Sequence, residues 1–141
     1  MVLLTWSLAL VFVTLFVSGG KGVHTNLDPL LGFRQMAALA RSGGHVNALV
    51  YVLLAIAANL LAFAVWAFLV WKLLKSPERG WLHNHVDTLL LGLLFSSGIE
   101  VVQLFLPTRA FDVNDLFWNL LGVITGSLAA HAHAAFRVEW E

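Results

Sequence analysis

One stretch of this chain, residues 46–74, carries no acidic side chain and no basic one before Lys72. It is longer than the roughly 20 residues an α-helix needs to cross a hydrocarbon core. In lipid every backbone N–H and C=O must find its partner within the segment or a closed barrel, so a lone apolar run of this kind is helical. Three further apolar runs accompany it, at about 2–18, 86–106 and 116–135, with Pro107 closing the third. At 60% hydrophobic and 11% charged residues, with a mean hydropathy of +0.84, the 141 residues exceed what a soluble core of that size can hide. The sequence therefore predicts an all-α integral membrane protein with four transmembrane helices, both termini on one side, forming a single domain over residues 1–141.

The first run has no basic residue before it, and Val17-Ser18-Gly19-Gly20 is a poor small-residue cleavage site. It reads as a retained helix rather than a signal peptide. Trp71, Trp81, Trp118 and Trp140 stand near the ends of the runs, as interfacial anchors do. The longest loop, 19–45, contains a mildly amphipathic stretch from Pro29 to Arg41, suited to lie flat among lipid headgroups. Arg34 and Arg41 share one face of it, either as contacts for lipid phosphates or as a solvated face. Lys72, Lys75 and Arg79 crowd the short second loop, which favours that loop and both termini in the cytoplasm, against Lys21, Arg34 and Arg41 spread over the longer first loop. Zero net charge and the lack of a basic tract argue against nucleic acid as a partner, leaving membrane lipids. Cys is absent, so disulfides and thiolate chemistry are excluded.

The candidate site lies on the third and fourth runs. Glu100 sits inside an apolar segment, where a charge costs roughly 2.5–3.5 kcal/mol on insertion scales. Such a residue is tolerated when it faces a partner or a cavity. Ser96, Glu100 and Gln103 follow i, i+4, i+7 spacing on one helical face, and Asp112, Asp115, Asn119, Gly122 and Gly126 share a face of the next helix. The short connection makes the two helices antiparallel neighbours, and counting residues from it sets Glu100 and Asn119 at similar depth. Arg109 is the only basic residue between Val86 and Ala135 and is the natural counter-charge for a carboxylate. Gly122 and Gly126 form a Gly-x-x-x-Gly pair for close helix packing. Plainer roles stand beside these: Asp112 as a helix N-cap, Asp115 as a carboxylate at the helix dipole, Gln103 and Asn119 as interhelical hydrogen-bond glue. His83-x-His85 and His131-x-His133 are i, i+2 pairs that diverge on a helix. They read as interfacial titrating groups, and no metal or cofactor is assigned.

The segment from Ser96 to Gly122 resembles the VanZ-like family of small bacterial membrane proteins. Glu100-x-x-Gln103, Arg109, Asp112-x-x-Asp115 and Asn119-x-x-Gly122 match its pattern, and upstream Asn26-Leu27-Asp28-Pro29 and Asn59-x-x-x-Phe63 resemble its Asn-Leu-x-Pro and Asn-x-x-x-Phe motifs. The resemblance covers residues 26–126. Val65 and Ala67 stand where the family carries Pro and Gly, and Leu30 where it carries Phe. The resemblance implies a multi-pass protein of the bacterial plasma membrane, acting at the cell envelope, in a family named for an association with teicoplanin resistance. It transfers no catalytic activity. Asn26, Asn59, Glu100, Gln103, Arg109, Asp112, Asp115 and Asn119 are the candidate ligand-binding residues. Three functional classes follow. One is a binding protein for an envelope lipid or glycan precursor, affecting glycopeptide susceptibility. The second is a membrane enzyme with Glu100 and Asp115 as acid and base on a lipid-linked substrate. The third is a small proton-coupled carrier titrating Glu100, which would need oligomerisation to line a path. The sequence holds no nucleophile with a base and no phosphate-cradling loop, so the binding role is favoured over the enzyme.

Overall fold

The computed structural model describes residues 1–17, 25–43, 46–76, 78, 80–106 and 111–138, and all four apolar runs are helical in it. Helix α1 spans Val2–Phe12 and passes into a π turn over Val13–Val17; α2 spans Leu31–Arg41, α3 Val46–Leu74, α4 Trp81–Gln103 and α5 Val113–Val138. Two of these, α3 and α4, are long and apolar enough to cross a membrane. The α5 helix is of similar length, but its polar side chains keep it from meeting the same measure among the described residues, and α1 is shorter. The most apolar window of α3 is only 6% buried within the protein, whereas the core helix of a soluble domain would be mostly covered. Leu53, Leu54, Leu61, Leu73, Leu90 and Leu94 point outward, an apolar exterior that suits lipid rather than water.

Glycine decides how the helices meet. A Cβ on Gly126 would fall against the backbone of Ala64, 2.7 Å from its carbonyl carbon and 2.8 Å from its Cα. A Cβ on Gly122 would meet Phe63 Cβ at 3.0 Å and Ala64 N at 3.1 Å. The Gly-x-x-x-Gly face of α5 is therefore laid on α3, backbone to backbone, and this is the most extensive helix pair in the bundle. The antiparallel pairing expected of α4 and α5 is present beside it, with Glu100 meeting Asp112 at one end and His85 meeting His131 at the other. Helix α4 packs on an adjoining strip of α5, where Val123 fills the space left by Gly92. Around these contacts sits the apolar core: Leu10, Phe63, Trp66, Ala67, Val70, Ile99 and Val123, with Trp66 stacked on Phe95 at 5.0 Å. Helix α1 is held to α3 by two indole donors, Trp6 Nε1 to the Ala62 carbonyl and Trp66 Nε1 to Ser7 Oγ, each at 3.0 Å.

The boundaries expected from hydropathy shift where polar residues are helical. Helix α4 begins at Trp81 rather than near 86, because His83, Asn84 and Asp87 lower the local hydropathy without breaking the helix. It ends at Gln103, before the expected 106. Helix α5 begins at Val113 rather than 116, because Asp112 Oδ1 accepts the Asn114 N–H at 2.9 Å, the bond an N-cap side chain makes. Trp71 and Trp118 are 2% and 6% exposed, so they are core residues and not interfacial anchors; Trp81, at 61%, is exposed. Trp140 lies outside the described residues. The amphipathic stretch in the first loop is α2, with Gly32 close to Ile56 of α3. No break appears in α3 at Val65 and Ala67. With neither Pro nor Gly present, the i→i−4 ladder has no cause to open there.

Candidate functional site

Helix α4 turns a row of small and polar side chains inward at four-residue steps. Asn84, Thr88, Gly92, Ser96 and Glu100 are all buried, followed by Gln103. Glu100 is 2% exposed. Its Oε2 accepts the main-chain N–H of Asp112 at 2.8 Å, tying the end of α4 to the start of α5. From Asp112 the network reaches the first loop. Asn26 N–H donates to the Phe111 carbonyl at 2.9 Å and Val113 N–H to the Asn26 carbonyl at 3.0 Å, forming an isolated parallel bridge. The Asn26 side chain adds Nδ2 to Asp112 Oδ1 at 2.7 Å. Its own Oδ1 accepts Asp28 N–H at 2.9 Å, the Asx turn that shapes the 26–29 loop. Glu100, Asp112 and Asn26 thus form one connected cluster at one end of the bundle, with the first and third loops side by side.

The other expected residues distribute around it. Asp115 is half-buried in the first turn of α5, where the helix dipole favours a carboxylate. Asn119 is 4% exposed and donates to Ser96 Oγ at 2.9 Å, one turn deeper than Glu100. The equal depth expected for Glu100 and Asn119 is corrected accordingly: starting α5 three residues earlier carries Asn119 further down. Its Oδ1 is buried without a hydrogen-bond partner. Gln103 Nε2 donates to the Thr14 carbonyl in the π turn at 3.2 Å, so Gln103 faces α1; π turns of this kind recur at functional sites. Asn59 lies on α3 facing α1, where it lines a cavity of about 260 Å³ with Trp6, Leu10, Val13, Thr14 and Ala62. Arg109 and its expected pairing with a carboxylate lie outside the described residues. In the first loop Arg34 pairs with Asp28 at 3.0 Å and Arg34 is 73% exposed, a contact of little energetic weight.

Two features escaped the sequence reading. Asn114 Oδ1 accepts both Gly32 N–H at 3.0 Å and Trp118 Nε1 at 3.2 Å, which docks α2 onto the root of α5. The i, i+4 spacing of Asn114 and Trp118 was the available signal. At the far end of the bundle His85 and His131 face one another across α4 and α5 with ring centroids 5.3 Å apart. Within each i, i+2 pair the side chains do diverge, but one from each pair turns inward. Among the described residues no group of three or more His, Asp or Glu is arranged to hold a metal ion.

A small helical bundle with an apolar exterior and a buried carboxylate cluster where two loops meet defines a class of compact membrane-compatible proteins. The model of the VanZ/LLP1 family matches residues 2–135, nearly the whole chain, and the chain belongs to that family. No curated protein and no solved structure matches it.

Proposed function

We propose that this chain is a four-span protein of a bacterial plasma membrane, with cytoplasmic termini. It binds an envelope lipid or a lipid-linked glycan precursor where the first and third loops meet, and through that binding it affects susceptibility to glycopeptides such as teicoplanin. The bridge between Asn26 and Asp112 supports the topology, since it requires both loops on the same side. The observation that carries the binding reading is the cavity between α1 and α3. Its walls are apolar apart from Asn59 and Thr14, and the Thr14 carbonyl receives the Gln103 amide three residues from Glu100. A hydrocarbon tail lying in that groove brings its polar head to the Glu100–Asp112–Asn26 cluster. Carboxylates and amides there suit hydroxyl, amide or cationic groups, and Arg109 in the adjoining loop suits an anionic oxygen.

The enzyme and carrier readings draw less support. The Glu100 carboxylate holds the Asp112 amide and the Ser96 hydroxyl accepts from Asn119, so both side chains serve to join α4 to α5. A carrier needs a route past Gly92, where Val123 is packed with no exposed surface. The deciding experiment compares Glu100→Gln and Asp115→Asn with the parent for glycopeptide susceptibility and for co-purifying lipids by mass spectrometry. Loss of both supports binding. Loss of phenotype with lipid retained favours chemistry or proton transfer instead. If neither property changes in folded protein, the site reading fails.

A further inference from the structure

The groove between α1 and α3 holds one polar group that the fold leaves unused. Of its lining residues, Trp6 spends its indole N–H on the Ala62 carbonyl and Thr14 its hydroxyl on the Leu10 carbonyl. The Asn59 side chain, partly buried in the same wall, makes no hydrogen bond with any described residue. It stands midway along α3, thirteen residues after Val46 and fifteen before Leu74. Hydrocarbon supplies no hydrogen-bond partner, so a free amide at that depth is unfavourable unless something in the groove meets it. Ala9, Ala58 and Ala62 carry only methyl groups around it, which leaves about 260 Å³ of room.

Depth narrows what that something is. Helices α3 and α5 run parallel, with Leu60 and Phe63 opposite Gly122 and Ala64 opposite Gly126. Asp112 comes ten residues before Gly122, and Asn59 about one turn before the α3 residues that face that glycine. At 1.5 Å per residue the amide therefore lies roughly 10 Å deeper than the carboxylate cluster. A molecule whose head reaches Glu100, Asp112 and Asn26 passes Asn59 where head gives way to chain. The amide offers both a donor and an acceptor there. A partner helix, about 10–12 Å across with its side chains, is too wide for the groove, whereas a single chain fits. A polyprenyl chain is hydrocarbon at that distance and offers the amide nothing. The phosphate link above such a chain is anionic, and no Lys, Arg or His lines the groove to receive it. An acyl lipid instead carries ester or amide carbonyls at this junction, each an acceptor. We infer that the ligand of the α1–α3 groove is an acyl lipid, held through its ester or amide carbonyl by Asn59 Nδ2, and not a polyprenyl-linked molecule. The inference rests on the binding reading above and names the kind of lipid which that reading leaves open.

The test uses the full chain, delipidated in a neutral detergent, with native mass spectrometry as the readout. The probes share a glucosyl head: glucosyl dioctanoylglycerol, its amide-linked counterpart, its ether-linked counterpart without carbonyls, and glucosyl farnesyl phosphate. The ester or the amide probe should bind the parent roughly fivefold tighter than the ether, as one hydrogen bond in an apolar setting gives. The tighter of those two identifies the link. Asn59→Leu should remove the preference by weakening the carbonyl probes while leaving the ether unchanged. The comparison of ester, amide and ether in the parent decides the matter even where Asn59→Leu is not recovered folded. Glu100→Gln should weaken all four probes alike, since all carry the same head. Binding that Glu100→Gln weakens but that shows no preference for carbonyls overturns the inference and leaves the binding reading in place. Absence of saturable binding by any probe removes the binding reading and the inference with it. A carbonyl preference that survives Asn59→Leu, tightest binding of the farnesyl probe, or a dimer of the parent that Asn59→Leu dissociates would each overturn the inference.

Discussion

Replacing Gly126 by Ala adds one methyl group at the tightest point between α3 and α5. An ideal Cβ there lies 2.7 Å from the Ala64 carbonyl carbon and 2.8 Å from its Cα, and the nearest atom is the Ala64 carbonyl oxygen. Ordinary carbon contacts are about 3.5–4.0 Å, so α5 must retreat by about 1 Å along much of its interface with α3. Because the obstacle is backbone, no side chain can turn aside to absorb the change. Overpacking of this kind costs about 1–3 kcal/mol, offset by up to ~1 kcal/mol of better helix propensity. Gly98 provides the internal control: it is on α4, and a Cβ there meets nothing within 4 Å. Gly98→Ala should be neutral or stabilising by up to ~1 kcal/mol. Thermal or denaturant unfolding of the two variants in one detergent should rank Gly98→Ala at or above the parent and Gly126→Ala below it. Gly126→Ala as stable as Gly98→Ala would refute the account of glycine-set helix spacing.

Glu100→Leu should destabilise the protein by about 1–3 kcal/mol, because it leaves the Asp112 N–H buried without an acceptor, whereas Glu100→Gln keeps an oxygen in place and should cost less; faster hydrogen exchange at the Asp112 amide in the Leu variant alone is the check. Asn114→Ala removes the acceptor of both Gly32 N–H and Trp118 Nε1 and should release α2, seen as accelerated exchange of the Gly32 amide with that of α3 unchanged. Single cysteines at Leu27 and at Lys75, both exposed in a chain without native Cys, should be labelled by membrane-impermeant reagents from outside and inside the cell respectively. The reverse pattern would overturn the orientation.

What the sequence revealed depended on whether the signal was local. Helicity of the apolar runs follows from hydropathy alone, and α3 spans 46–74 as read. The alternative role for Asp112 as an N-cap is present in the structure, since a cap is a three-residue affair. Long-range partners were not legible. A Gly-x-x-x-Gly pair announces a close approach but carries no information about which helix approaches, and here α3 rather than α4 lies against it. The Asn-Leu-x-Pro loop was visible as a motif, yet its pairing with Asp112 joins residues 86 positions apart. The histidines were read within each pair, along one helix. Counting each from the ends of its helix would have set His85 and His131 at the same end of the bundle.

That span of 86 positions between Asn26 and Asp112 has a bearing on biogenesis. A nascent membrane protein emerges N-terminus first, so the first loop is made long before anything it bonds to. Asn26 and Gly32 must wait for Asp112 and Asn114, and the groove of close contacts on α3 stays open until Gly122 and Gly126 arrive. The long-range contacts described for the carboxylate cluster therefore wait for Phe111, Asp112 and Val113 at the start of α5. A ribosome stalled before α5 would leave inserted helices with no cluster, and the unfinished chain would be marked by the uncovered α3 surface around Phe63 and Ala64.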